Sequence, residues 1–242
     1  MAEAATARLL FPALRASGDT GFDHERARID RALELGVGGF VIFGGTAPVV
    51  EALIADLRTR ARTPLLIGSD LERGAGQQFA GATALPPLAA IGSLDEPEFT
   101  RRAAQITARE AMGLGVNWIY APVADVDLEP RNPIVGTRAF GTDAVHVQRH
   151  VRAWIEGCHA AGALACAKHF PGHGRTTDDS HAALPRVRAS RAELEIDLAP
   201  FRTAIEAGVD TVMTAHVAYP ALDPQGSAAT LSHAIITELL KG

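Results

Sequence analysis

Short apolar runs alternating with amphipathic segments along the whole chain constrain the fold more than any other feature. The runs are Arg8–Leu14, Gly38–Phe43, Pro64–Ser69, Val116–Pro122, Ala161–Lys168 and Val209–Ala215. Between them, Ala, Leu, Arg and Glu recur at three- and four-residue steps, which predicts helices near His24–Leu35, Pro48–Arg60, Glu96–Gly113, Asp143–Ala160 and Ser190–Ala207. A last helix is predicted from Ser232 onward. The runs are rich in Val, Ile, Leu and Ala rather than strictly alternating, the pattern of parallel strands covered on both faces. Repeated βα units can close into a (β/α)8 barrel or open into a doubly wound sheet. No GxGxxG or GxxxxGK[ST] follows a strand, whereas polar residues sit just beyond strand after strand: Asp70 and Glu72, Asp125 and Asp127, Lys168 and His169, His216. Barrel active sites are built at strand C-termini, so an α/β, TIM-barrel-like fold is expected. About six βα units are present where closure takes eight, so the barrel is expected to be incomplete at its C-terminus.

The chain has 242 residues and a formal net charge of −5, with 47% hydrophobic residues. That length supports a sizeable core, and no linker or low-complexity tract marks a boundary, so one domain over residues 1–242 is expected. Without a dense Lys/Arg cluster, a nucleic-acid or anionic-membrane partner is not expected, and a small-molecule partner is. Cys158 and Cys166 fall in a helical segment and an apolar run, which suits buried thiols better than a disulfide framework. The N-terminal stretch is too short and too interrupted for a signal peptide or membrane span, which favours a cytoplasmic protein.

The densest polar constellation runs from Lys168 to Gly174, KHFPGHG, and continues through Arg175 to His181. Asp179 stands two residues before His181; a loop carboxylate can fix an imidazole's tautomer and raise its basicity, making a proton-exchanging dyad. The alternative is that Asp179 caps a helix or turn beside a solvated His181. Asp70 or Glu72 places a carboxylate at a barrel mouth, the alternative for either being a helix N-cap or a loop anion. Arg138, in NPIVGTRAF, suits hydroxyl or carboxylate recognition or a surface ion pair. His169 and His173 are four apart, but Pro171 and Gly172 break the helix that would align their rings, so no metal is assigned.

KHFPGHG with its downstream Asp-Ser-His, together with SDLERGAGQQF, APVADVDLEPRNPIVGTRAFG, VMTAHVAYPALDP and LSHAIITELLKG, resembles glycoside hydrolase family 3 over roughly Gly38 to Lys241. Within that family it is most similar to bacterial β-N-acetylglucosaminidases of the cell-wall recycling type. The resemblance implies an exo-acting hydrolase that removes terminal N-acetylglucosamine from glycosides or muropeptides with retention, through a covalent intermediate and without a cofactor. It implies His181 as acid/base, Asp179 as its partner, and Asp70, Arg138, Lys168 and His169 as contacts to sugar hydroxyls. The family's nucleophile is an Asp on the strand after the segment matching Ser232–Leu240, so it is expected beyond residue 242. Arg73 and Gln78 depart from the family pattern, which has Gly and commonly Arg there. The competing readings are a β-glucosidase of the same family, a noncatalytic sugar-binding remnant, and a metal-dependent hydrolase using the rim histidines.

Overall fold

The structure, a computed structural model, describes residues 6–18, 21–179 and 183–242. The chain divides into two compact units. The first comprises Met1–Leu85, Ala103–Tyr120 and Cys158–Leu164. In it β1 (Ala13–Arg15), β2 (Gly39–Phe43), β3 (Leu66–Ser69) and β4 (Trp118–Ile119) pair side by side in chain order, all parallel. The first two crossovers carry α1 (Arg26–Leu35) and α2 (Ala47–Arg60). Pro48 in the first turn of α2 costs no hydrogen bond, because an N–H there has no helical partner, and Arg58 and Arg60 complement the dipole in its last turn. Leu14, Phe40, Ile42 and Ile67 from the strands and Ile54 and Leu57 from α2 are all at most 1% exposed and make the core. Asn117 ties β4 to β3 by accepting the Ile67 N–H on its side-chain oxygen at 2.8 Å.

The second unit comprises Pro86–Arg102, Ala121–Gly157 and Ala165–Gly242. It holds α3 (Leu88–Gly92), the start of α4 (Pro97–Gly113), α6 (Arg191–Glu206), β6 (Thr211–Thr214) and a π-helical segment, Ala234–Leu240. It also holds nearly all of α5 (Ala144–His159) and β5 (Leu164–Phe170). Helix α6 begins with a capping box: the Glu193 N–H donates to Ser190 Oγ at 3.3 Å, and the Ser190 N–H donates to Glu193 Oε2 at 2.8 Å. Strands β5 and β6 pair in parallel from Cys166↔Thr211 to Phe170↔Thr214, with the register slipping between Lys168 and Phe170. Trp154, Tyr219, Phe140 and Phe201 fill the core, and Phe170 meets Phe201 edge to face at 5.3 Å.

The α/β organisation and the parallel pairing are as expected, and the boundaries differ where proline intervenes. Residues 8 and 9 form a turn and Pro12 has no N–H to give a ladder, so β1 begins at Ala13 rather than Arg8. Pro122 likewise interrupts the run after Trp118, and regular β4 is two residues long. Helix α3 was not expected. Cys158 and Cys166 are buried thiols. Among the described residues no helix is long and apolar enough to cross a membrane.

Candidate active site

The second unit gathers the chemistry of the KHFPGHG segment around one buried carboxylate. Asp125 lies beyond the run that contains β4 and has no solvent exposure. Its Oδ2 accepts from His169 Nδ1 at 2.7 Å, and its Oδ1 accepts the backbone N–H groups of His173 at 2.6 Å and His169 at 3.2 Å. Burial pushes the Asp125 carboxyl up, but His169 and the His173 N–H outweigh it and hold the group below the ordinary carboxylate range. Asp125 is therefore a carboxylate at neutral pH.

His169 occupies the slipped register position of β5, so the ladder does not dictate its direction. Its Nε2 lies 3.4 Å from Arg138 Nη2. A guanidinium only donates, so Nε2 is the acceptor and Nδ1 carries the proton that goes to Asp125. Arg138 also donates through Nη1 to the Ile134 carbonyl at 3.1 Å, which sets its fork in the 132–138 loop. That loop is braced by Asn132. Its Oδ1 accepts the Ile134 and Val135 N–H groups, both at 2.8 Å, and its Nδ2 donates to the His173 carbonyl at 2.8 Å. His173 is buried with Nδ1 2.9 Å from Thr176 Oγ1, and burial pushes its pKa down. It forms a wall of the turn.

Two glycines let the segment fold this tightly. A Cβ on Gly174 would lie 1.7 Å from the Val126 carbonyl oxygen. Gly172 has φ of +128°, and a Cβ there would lie 2.7 Å from Asp197 Cβ on α6. The Gly172 carbonyl accepts from the buried Tyr219 hydroxyl at 2.7 Å. Arg175, next along, donates through Nε to Asp197 Oδ2 at 2.8 Å. Asp197 is 1% exposed and its Oδ1 has no partner. Burial pushes its carboxyl up to about 6, against the opposing pull of Arg175. A partly buried ion pair thus fastens the base of the loop that leads to Asp179.

The structure brings Arg138 and His169 together, with Lys168 adjacent on β5, 1% exposed. Asp179 is half-buried, and its backbone oxygen accepts the Ala183 N–H at 3.1 Å. His181 lies outside the described residues. Asp70 directly follows β3 in the first unit and is half-buried; Glu72 near it is buried. His216 is exposed, with Nδ1 3.0 Å from Thr230 Oγ1. Of the two departures, Gln78 accepts the Gly44 N–H at 3.2 Å and so has a structural task in the loop after β2, while Arg73 is exposed. Asp125, Asn132 and Asp197 were not assigned from the sequence. Only Asp125 carried a signal, its place beyond a strand end.

What this arrangement can do is present a fixed set of hydrogen-bonding groups, oriented by a buried carboxylate, at the end of a parallel strand. A β-N-acetylglucosaminidase/β-glucosidase of Cellulomonas fimi is 40% identical over 188 residues, covering 77% of this chain and 33% of the relative. A β-hexosaminidase of Xylella fastidiosa strain M23 is 40% identical over 220 residues, covering 86% of this chain and 65% of the relative. The chain thus spans less than two thirds of either. The solved structure of a glycoside hydrolase family 3 β-N-acetylglucosaminidase from Paenibacillus sp. str. FPU-7 superposes with a TM-score of 0.90 at 37% identity, covering all of this chain and 47% of that one. The family model for the glycosyl hydrolase family 3 N-terminal domain matches residues 28–242, and the chain belongs to that family.

Proposed function

We propose that this chain is part of a retaining exo-β-N-acetylglucosaminidase that hydrolyses terminal N-acetylglucosamine from glycosides or muropeptides, acting in the cytoplasm and without a cofactor. The observation that carries the reading is the 40% identity to a β-hexosaminidase over 86% of the chain. The Asp125–His169–Arg138 cluster supports it, since polar groups locked by their neighbours suit recognition of sugar hydroxyls.

In this reading His169, Arg138 and Lys168 contact the hydroxyls of the terminal sugar. Asp70 is assigned the same kind of contact from the motif match alone. His181, paired with Asp179, donates a proton to the glycosidic oxygen as the bond from that oxygen to the anomeric carbon breaks and an Asp carboxylate bonds to that carbon in its place. That nucleophile is assigned to no residue among these 242, and is taken from sequence following the Ser232–Leu240 segment. His181 then removes a proton from a water that bonds to the anomeric carbon as the bond to the Asp carboxylate breaks, so the sugar is released and the proton given to the leaving group is recovered.

The test is turnover of an aryl β-N-acetylglucosaminide by the protein that carries this chain. His181→Ala is expected to lower kcat by about 10²-fold or more, as loss of a general acid/base does. An unchanged rate overturns the acid/base assignment. A β-glucosidase is the second reading, favoured by the double name of the Cellulomonas fimi relative. A higher kcat/KM for the matched glucoside than for the N-acetylglucosaminide would select it.

A further inference from the structure

A second pair of histidines four residues apart, His146 and His150, lies on helix α5, where no proline or glycine intervenes. On a continuous helix that spacing puts both side chains on one face, and the two rings have centroids 4.4 Å apart. Asp95, in the turn between α3 and α4, comes to the same place with φ of +51°. Its Oδ1 is 3.1 Å from His146 Nδ1. One nitrogen of each ring and one carboxylate oxygen of Asp95 all lie within 4.8 Å of one another. Donors around a tetrahedral zinc ion, with bonds of about 2.0–2.1 Å, are separated by about 3.3 Å, so small side-chain rotations would close the set.

His150 supplies an independent observation. Its residue is wholly buried, and its Nε2 has no hydrogen-bond partner. Buried ring nitrogens without a partner are uncommon and demand a reason. Its Nδ1 is 2.6 Å from Thr100 Oγ1, and the ring stacks on Phe140 at 5.2 Å. With Nδ1–H given to Thr100, Nε2 presents a lone pair, which is the tautomer and second contact that metal-binding histidines have.

We propose that Asp95, His146 and His150 form a site for a divalent transition metal, zinc by its donor set, separate from the KHFPGHG segment. Three protein ligands leave a fourth position for water. Arg149 is the internal competitor: its Nη2 donates to the same Asp95 Oδ1 at 2.6 Å. The Arg149 and Asp95 side chains are 48% and 66% exposed, so the guanidinium can swing into solvent as a metal arrives. Such an ion would fasten the α3–α4 turn to α5.

The experiment is titration of the chelator-treated protein that carries this chain with Zn²⁺, and with Co²⁺ as a spectroscopic probe. The expected result is one equivalent bound, visible Co²⁺ absorption of four-coordinate strength, and a raised Tm in Zn²⁺. Because His150 is a packed core residue, the discriminating variants are His146→Ala and Asp95→Asn, each expected to weaken binding at least tenfold. Arg149→Ala is expected to tighten it. Absence of stoichiometric binding overturns the site. So does binding that survives His146→Ala and Asp95→Asn but is lost in His169→Ala, which would move the metal to the other histidine pair. Weaker binding in Arg149→Ala overturns the competition.

Discussion

Replacing Asp125 by Asn changes one atom of the side chain and reverses the hydrogen-bond polarity of the cluster. The amide oxygen can stay in the place of Oδ1 and keep the His173 and His169 backbone donors. The amide nitrogen then stands where Oδ2 accepted from His169 Nδ1, and it can only donate. His169 must answer with a lone pair at Nδ1, which moves its proton to Nε2 and points it at Arg138 Nη2, 3.4 Å away. The Arg138 contact is long and contributes little; the main loss is a charge-assisted bond of 2.7 Å. Losing such a bond in a buried place costs about 1.5–3 kcal/mol, partly offset because the amide carries no buried charge. The net expectation is a loss of about 2 kcal/mol at pH 7, read from urea unfolding of the two proteins. Nitrogen NMR of the His169 ring is expected to show the proton on Nδ1 in the parent and on Nε2 in the variant. The folded-state pKa of Asp125 is depressed, so its contribution exists above the unfolded carboxyl pKa of about 3.9 and is lost as pH falls through the lower folded value. The difference between parent and variant should therefore shrink on acidification below about pH 4. A change under about 0.5 kcal/mol with the ring tautomer unmoved would refute the assignment of Asp125 as the residue that orients His169.

Asp197 behaves with the opposite sign. Its folded pKa is raised to about 6, so the folded chain holds that proton longer than the unfolded chain. Stability should fall as pH rises from about 4 through 6, by up to roughly 3 kcal/mol, and Asp197→Asn should flatten that slope in urea midpoints taken across the range. Gly174→Ala would drive a methyl group to 1.7 Å from the Val126 oxygen, and a loss of about 3 kcal/mol or more in thermal unfolding is expected; a near-parental Tm would mean the segment is free to shift. Ser190→Ala removes the accepting half of the α6 capping box and should cost about 1 kcal/mol in chemical denaturation, with no effect on the His169 tautomer.

How far such a site can be read from sequence depends on whether its partners are local. Strands β2 and β3 were visible because Val, Ile and Leu are contiguous there; β1 and β4 are shorter because Pro12 and Pro122 withhold donors that an apolar run seems to promise. The KHFPGHG segment was visible as a dense polar motif leaving a strand. What the motif could not show is that its geometry rests on Asp125. Asp125 and Asp127 are two residues apart, so strand alternation puts both on one face and cannot choose between them. The choice is made by backbone N–H groups of His169 and His173, more than forty residues along the chain, which donate to Asp125. Asp127 instead has a buried oxygen without a partner, and burial pushes its carboxyl up. The histidines make the converse case. His169 and His173 share their spacing with His146 and His150, and only the residues between them tell the pairs apart: Pro171 and Gly172 in one, an unbroken helical stretch in the other. Spacing carries chemical meaning only on a backbone whose period is known, and the pair in the proposed metal site stands on α5, a helix predicted from the sequence. The orienting carboxylate is chosen only once the strands are paired.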